Sequence, residues 1–599
     1  MSPFALLHRD GADHVEVLTG HVVTVPTLAD IPLDRGRPTL AVVPYRQITE
    51  RGFACVDDHA PLECLIVTGR DTAPLDAFGA AGDLTVTGGA FDLSDDEYAE
   101  IVGAVLRDEI GRGAGANFVI HRTFTAAVAG DPVAAARAAF ARLLTGEQGA
   151  YWTFLVHTGT RTLVGASPER HVSVTDGLTM MNPISGTFRH GSGDLLDFLA
   201  DRKEIEELYM VLDEELKMMA TVADGGGQVV GPYLKQMSQL THTEYLLAGR
   251  GSMDVRTVLR ETMFAPTVTG SPLANACRVI ARHERRARGY YAGVLALLDH
   301  DDQGRQTLDA PILIRTAEIA PDGTLRVPVG ATLVRHSAPA GEVAETHTKA
   351  AGVLAALGLR SRSQLRGTPP AIDTPEVAAA LAARNTGLAR FWLDERQPAQ
   401  RVLTGSAVIV DGEDTFTAML AHQLRALGLT VTVVPWHAPV QPAGLTVIGP
   451  GPGDPGAAHD PKMAHLRGLL TGLLAGRRPV LAVCLGHQLL AGLLGLPLHR
   501  RDAPYQGVAR DVDLFGTVRR VGFYSSFTAH SPAGNIDSPY GPVQLARDPV
   551  DGSVHSLRGS GFAGLQFHPE SVLSADGMAL LAELLPPLQA GVNTPAAAG

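Results

Sequence analysis

Two spacings of apolar residues divide this chain. Up to about Gly89, short β-branched runs are separated by Gly, Pro and Asp, which predicts mostly strands; they are Glu16-Val17-Leu18-Thr19, Leu40-Ala41-Val42-Val43-Pro44 and Cys64-Leu65-Ile66-Val67. Helical spacing enters next. Asp95-Asp96-Glu97 leads into an amphipathic helix over Ala99–Arg112, closed by Gly111 and Gly113, and a second helix is expected over Pro132–Leu144. Strand runs follow at Tyr151–His157 and Arg161–Ala166. Gly193–Asp224 reads as largely one long helix, ended by Gly225-Gly226-Gly227. Strands over Ala292–Asp299 and Ile312–Ile319 and a helix over Glu345–Leu357 complete this half. Gly367-Thr368-Pro369-Pro370 has the composition of a hinge, and Thr374–Phe391 after it carries a helical period. From there the rhythm is strand Ala407-Val408-Ile409-Val410, helix Thr415–Leu427, strand Thr430–Val434, a βαβ unit that implies a parallel sheet. The expected division is a first domain over 1–366 whose opening segment, 1–89, is β-rich, a linker with a helix over 367–401, an α/β domain over 402–585 and a tail over 586–599. The end of that tail, Gly591–Gly599, lacks large apolar residues and is expected to be disordered.

Composition narrows the class. A chain of 599 residues exceeds what one core supports. Hydrophobic residues make up 45% and charged residues 19%, as in a well-buried globular protein, and the net charge of −13 with no basic block argues against nucleic acid or an anionic membrane as partner. The four cysteines (Cys55, Cys64, Cys277, Cys484) form no C-x-x-C pair, which points to a reducing compartment. No signal peptide opens the sequence and no apolar run reaches membrane-spanning length, so a cytoplasmic location is expected.

Chemistry is concentrated in Pro479-Val480-Leu481-Ala482-Val483-Cys484-Leu485-Gly486-His487-Gln488-Leu489-Leu490. An apolar run stops at a cysteine and a glycine then opens a helix-period segment: strand, sharp turn, helix. Such an elbow holds a nucleophile off the end of a sheet and aims backbone N–H groups and a helix N-terminus at an oxyanion. The thiolate is the reactive form, favoured by a positive helix end and a nearby imidazole. His568, in Gly564-Leu565-Gln566-Phe567-His568-Pro569-Glu570, can supply that imidazole, with Glu570 able to orient it. The elbow and this segment together resemble class I glutamine amidotransferases over roughly Val402–Leu585, as does the Pro/Gly loop Val447-Ile448-Gly449-Pro450-Gly451-Pro452-Gly453-Asp454-Pro455. The resemblance implies a flavodoxin-like parallel sheet, L-glutamine as substrate, catalysis by Cys484, His568 and Glu570, an oxyanion hole at Gly451 and Leu485 with Gly453 in the same loop, and glutamine held by Gln488 and Ser526.

Upstream, Glu204 and Glu207 lie one helical turn apart, and Glu342 and Glu345 repeat the spacing. Such pairs are either solvated helix faces or a convergent carboxylate site for Mg²⁺, which prefers hard oxygen ligands. In order along the chain stand Ser167-Pro168-Glu169-Arg170, Pro183-Ile184-Ser185-Gly186-Thr187, Pro266-Thr267-Val268-Thr269-Gly270-Ser271-Pro272, Arg288-Gly289-Tyr290-Tyr291-Ala292-Gly293, Ile314-Arg315-Thr316 and Glu342–Lys349. This series resembles the chorismate-binding enzymes, anthranilate synthase large subunits among them, over about Gly89–Leu359. The resemblance implies an α/β sandwich with the site between its sheets and chorismate as substrate. It also implies Mg²⁺ on Glu207 and Glu345 with catalytic support from Glu204 and Glu342. Contacts to chorismate would come from Gly186, Thr187, Thr267, Tyr291, Arg315, Gly330, Ala331, Thr332 and Lys349. By family analogy a homodimer is implied, with domains able to meet across chains.

Addition at C2 needs a nucleophile. Members that use water carry a lysine base, and Asn117 falls at that place here; ammonia needs no such base, and a fused glutaminase supplies it. Anthranilate synthases go on to eliminate pyruvate, a step associated with a histidine whose position falls at Tyr245, with His242 three residues away. Pro266 and Leu273 also depart from the anthranilate synthase pattern. These departures resemble the phenazine-pathway branch, which releases 2-amino-2-deoxyisochorismate (ADIC). A complete anthranilate synthase is the alternative; a Cys/His hydrolase joined to a non-catalytic ligand-binding domain is a third possibility.

Overall fold

The computed structural model describes residues 2–78, 82, 84–360, 367–396, 402–441 and 443–590. The last residues, Gly591–Gly599, and with them the expected disorder, lie outside the described residues. In the first domain eighteen strands join in one antiparallel network. Its centre is the long pairing of Asn117–Ala129 with Thr324–Val334, in which Val119 faces Thr332 and Asn117 faces Val334. Alternation along these strands puts one face on the site and the other on the apolar core. Helices Pro132–Gly146 and Pro339–Ala356 share an apolar cluster that includes Phe140, Val164 and Leu354. Another cluster lies beneath the helix Arg202–Val222 and joins Leu208, Leu212, Leu216 and Met219 to Tyr245 and Leu247.

Several boundaries differ from the sequence expectation, each for a local reason. The stretch 193–224 is two helices, Leu195–Ala200 and Arg202–Val222, because the side chain of Asp201 accepts from the N–H groups of Lys203 and Glu204 and so caps the second. A cap of this kind is worth about 1 kcal/mol. The first amphipathic helix starts at Asp95, where Ser94 and Glu97 form a capping box, and ends at Asp108. The helix expected from Glu345 begins at Pro339, whose fixed φ suits a first turn. The strand expected over 312–319 is broken: Gln306–Pro311 and Thr316–Ile319 flank a loop in which Arg315 has φ 51°.

The connector is not a free tether. Gly367 sits where a Cβ would lie 2.1 Å from the His190 carbonyl oxygen. The helix expected over 374–391 is really Pro375–Arg384 and a single turn, Arg390–Leu393. Arg384 donates to the Leu199 carbonyl, Tyr209 hydroxyl donates to the Arg384 carbonyl, and the buried Trp392 ring N–H donates to the Glu570 carbonyl at 2.8 Å. Removing an aromatic side chain buried this completely costs on the order of 3–5 kcal/mol. The two domains therefore meet within one chain.

In the second domain the strands Thr430–Pro435, Ser406–Asp411, Leu445–Ile448, Val480–Val483 and Phe562–Leu565 lie side by side in that order, all parallel. This is the 2-1-3-4-5 order of a flavodoxin-like sheet, in which ligands sit beyond the carboxyl ends of the strands. An antiparallel extension, including Leu498–Leu514 and Thr517–His530, continues the sheet. The closing helix Gly577–Ala590 runs past the expected domain end at 585, so 586–590 are helix and not tail. Among the described residues no helix is long and apolar enough to cross a membrane, and all four cysteines are unpaired.

Candidate active sites

The elbow forms as its sequence requires. Val480–Val483 ends at Cys484, which takes φ 52° and ψ −103°, and Leu485–Leu493 follows at once as helix. Gly486 is needed because a Cβ there would lie 2.3 Å from the Ile448 carbonyl oxygen. The turn is pinned by Cys484 N–H donating to Leu565 O at 2.8 Å and Gln488 N–H donating to Cys484 O at 3.0 Å. His568 is fully buried against the thiol, and its Nδ1 is 2.8 Å from Glu570 Oε1. The buried Glu570 carboxylate fixes Nδ1 as the protonated nitrogen and leaves Nε2 for the sulfur. Burial alone would favour the neutral ring, but Cys484 and Glu570 on either side hold His568 well above the usual imidazole range. Phe416 and Tyr524 wall the ring, with centroids at 4.3 and 5.6 Å. A cysteine beside a buried, carboxylate-oriented imidazole is an acyl-transfer pair.

Other residues expected here fall as follows. Gly451 approaches the Gly412 carbonyl so closely that a Cβ would sit 2.2 Å away, and Gly453 has φ 136° with Met463 2.3 Å from its absent Cβ. Leu485 supplies the first helical N–H after the nucleophile. Gln488 is buried, its amide donating to Phe527 O at 3.1 Å and to Gln566 Oε1 at 3.4 Å. Ser526 faces the first domain and donates to the Gly113 carbonyl at 3.3 Å.

The first domain holds a small, partly open cavity of about 60 Å³. Of the residues expected to contact the substrate, Gly186, Thr187, Thr267, Tyr291, Arg315, Gly330, Thr332 and Lys349 line it, with Glu207. Ala331 does not: between Gly330 and Thr332 it takes the alternate face of its strand and is fully buried. Gly186, at φ 72°, leaves room that a Cβ would take 2.6 Å from Glu204 Oε2, and Gly330 does the same for the Tyr291 hydroxyl. Arg315 makes no hydrogen bond or ion pair through its guanidinium among the described residues, which leaves its planar fork for a carboxylate.

The acid pairs converge around one ammonium. Lys203 Nζ lies 3.4 Å from Glu204, 3.5 Å from Glu207 and 3.6 Å from Glu342. Burial would strip its proton, but the charges of Glu207, Glu345, Glu204 and Glu342 together raise it well above the lysine range. Ser185 hydroxyl donates to Glu207 at 2.8 Å, and Lys349 pairs with Glu345 at 2.6 Å. Burial lifts Glu204 to about 7, with the charge of Glu207 adding to it, and lifts Glu342 to about 8, with Glu345 adding. Lys349 and Lys203 outweigh burial at Glu345 and hold it below the usual carboxylate range. Glu204 Oε2 and Glu342 Oε2 are buried without a partner, and neither residue lines the cavity.

As a test of fit for Mg²⁺, the donors are all hard carboxylate oxygens. Among the described residues no three acidic, histidine or cysteine side chains close on one point. Mg²⁺ needs no such cage, since it commonly takes one or two carboxylates and completes its shell with water and substrate oxygens. Glu207 and Glu345 supply two such carboxylates, of which Glu207 lines the cavity and Glu345, paired with Lys349, does not.

Four residues gain meaning only in three dimensions. Glu169, seen in the sequence as part of a motif, lines the cavity and accepts from Thr267 at 2.7 Å, and burial raises it to about 8. It is a neutral acid at the cavity wall. His242 also lines the cavity: its Nδ1 is 2.6 Å from Gly186 O, its Nε2 has no partner, and burial lowers it to about 3, so the ring is neutral. Tyr245, by contrast, turns away and donates to Asn385 at 2.8 Å. Asn117 is fully buried with both amide atoms unpartnered, on the strand face it shares with cavity-lining Val119.

Two family models match this chain: "chorismate binding enzyme" over residues 83–355 and "Glutamine amidotransferase class-I" over residues 408–586. Fold and sites together define a chorismate-binding enzyme fused to a class I glutamine amidotransferase. The "Anthranilate synthase, phenazine specific" of Pseudomonas chlororaphis is 49% identical over 97% of this chain and 94% of its own, as is that of Pseudomonas fluorescens. An anthranilate synthase of Azospirillum brasilense is 32% identical over 77% of this chain and 61% of its own. The chain belongs to the anthranilate synthase family, with its phenazine-specific members.

Proposed function

We propose that this enzyme aminates chorismate at C2 to ADIC, with ammonia that its own second domain releases from glutamine. The observation that carries the reading is the pairing, in one chain, of the buried Cys484–His568–Glu570 set with a cavity bearing Arg315, Glu207 and the neutral acid Glu169. Cys484 Sγ attacks the glutamine amide carbon while backbone N–H groups at Leu485 and the Gly451 loop receive the oxyanion. His568 protonates the departing ammonia and then takes a proton from the water that hydrolyses the thioester, releasing glutamate.

Ammonia in water at neutral pH is mostly ammonium, which has no lone pair to offer, so an enclosed passage matters. Pro504 and Ser526 of the second domain pack on Gly113 of the first, and Met210 of the first on Gly507 of the second, so the two domains are in close contact there. In the cavity Arg315 and Lys349 hold carboxylate. The ammonia lone pair forms the bond to C2, both ring double bonds shift by one position, and the C4–O bond breaks. Glu169 gives its proton to the departing hydroxyl, which leaves as water. Mg²⁺, held by Glu207 and Glu345, would supply positive charge to the substrate carboxylate. On this reading Glu204 and Glu342 support those ligands, and the proton donor is Glu169, which faces the cavity as they do not. The unpaired cysteines fit a cytoplasmic setting, and the homodimer implied by the resemblance belongs to the same proposal.

A second reading has one observation in its favour. The neutral His242 offers an unpartnered Nε2 near the cavity, a base that could start pyruvate elimination. Incubation with chorismate, Mg²⁺ and glutamine, followed by mass analysis, separates the two. The expected product keeps the enolpyruvyl ether; anthranilate with equimolar pyruvate would replace the first reading by the second.

A further inference from the structure

The helix Arg202–Val222 touches both sites. Glu204 and Glu207 in its first turns stand at the acidic pocket. Asp213, nine residues beyond Glu204, faces the opposite side of the helix. It is 1% exposed and fully hydrogen-bonded across the domain boundary. Its Oδ2 accepts from the Tyr524 hydroxyl at 2.6 Å and the Ser571 hydroxyl at 2.5 Å, and its Oδ1 from the Val572 N–H at 2.9 Å.

These partners are the segments that hold the thiol and the imidazole. The Tyr524 carbonyl lies 3.7 Å from Cys484 Sγ, and its ring stands edge-on to His568. Ser571 follows Glu570 directly, and its N–H donates to the His568 carbonyl at 3.2 Å. One helical turn past Asp213, Lys217 sits 4.3 Å over the Phe416 ring that covers His568. Between them Glu214 takes Lys217 at 2.6 Å and the Ser271 hydroxyl at 2.5 Å, on the segment that follows cavity-lining Thr267. Two residues a turn apart thus grip both walls of the glutaminase histidine, from an element whose other end belongs to the synthase pocket.

We propose that Asp213 is a positioning residue that ties glutamine hydrolysis to the state of the synthase cavity. A shift of the helix on substrate loading moves Tyr524 and the 570–572 turn through Asp213 and brings His568 into register with Cys484. This rests on the amination reading above. Coupling of this kind is a free energy shared between two sites, carried by an element that both bias.

The test compares glutaminase rate with and without chorismate plus Mg²⁺, in the full chain. In the wild type the pair of ligands should raise it by about 5- to 150-fold. In Asp213→Asn, which keeps size but presents an amide where three donors converge, that ratio should fall to about one while chorismate turnover with ammonium is unchanged. Tyr524→Phe removes one donor and should lower the ratio partly; the double variant should be no worse than Asp213→Asn alone, as for residues acting through one contact. A ratio preserved in Asp213→Asn, with both rates lowered together, would mean a merely structural role and overturn the proposal. So would loss of ammonium-dependent turnover in that variant, or a wild-type glutaminase indifferent to chorismate. A wild type that aminates chorismate from neither nitrogen source would instead refute the functional reading, and the proposal with it.

Discussion

In the Cys484→Ala enzyme, glutamine should no longer support chorismate turnover, an expected loss on the order of 10⁴-fold or more for removal of a covalent nucleophile. Ammonium salts should still do so. The elbow is tied to the sheet by backbone bonds, Cys484 N–H to Leu565 O among them, that do not involve the thiol, so the alanine leaves the fold and the distant cavity in place. Mass analysis of the chorismate product with each nitrogen source reads the difference directly. Continued use of glutamine by this variant would remove Cys484 from the mechanism. Loss of both routes would show that the thiol's role is not confined to freeing ammonia.

Glu169→Gln carries the second large effect. The amide can still meet the Thr267 hydroxyl but has no proton to give, and the loss of general-acid catalysis is expected to lower turnover by about 10²- to 10⁴-fold with either nitrogen source. The wild type should also show a pH limb. Burial holds this carboxyl at about 8, so the donor is present below that pH and is lost as pH rises through it. Glutamine-driven turnover should fall across that window in the wild type and stay flat in the variant. The same group bears on stability with a definite sign. Between its ordinary 4.5 and about 8 the folded chain holds a proton that the unfolded chain has released, so the folded state is progressively disfavoured as pH rises through that range. Wild-type turnover by Glu169→Gln with ammonium would return the acid role to Glu204 or Glu342.

What the sequence could show followed from how local each signal was. The nucleophile, its turn and its helix lie within twelve consecutive residues, and the parallel βαβ rhythm around them is a short-range pattern, so that domain was readable. The acid pairs were visible by spacing, because one helical turn is a local fact. The role of Glu169 was not visible: its neutral state comes from burial under residues more than ninety positions away, Thr267 among them. Asp213 looked like one more charge on a charged helix, since its partners Tyr524 and Ser571 are more than three hundred residues distant. Lys203 stood beside the acid pairs without revealing that it sits among them. The break at Asp201 could have been read, for an Asp followed three residues later by Glu204 is an N-terminal helix signature. The helical period of Thr374–Phe391 gave no sign that the connector would fold onto the long helix and Glu570, because a period says which face is apolar and not what covers it.

The elbow also sets robustness against reactivity. A side chain held at φ 52° and ψ −103° costs on the order of 1–3 kcal/mol that a glycine would be spared. The reactive sulfur therefore sits on a residue whose backbone conformation favours glycine. Variants of this chain selected for heat tolerance alone should drift toward Cys484→Gly, gaining durability while silently giving up their nitrogen supply.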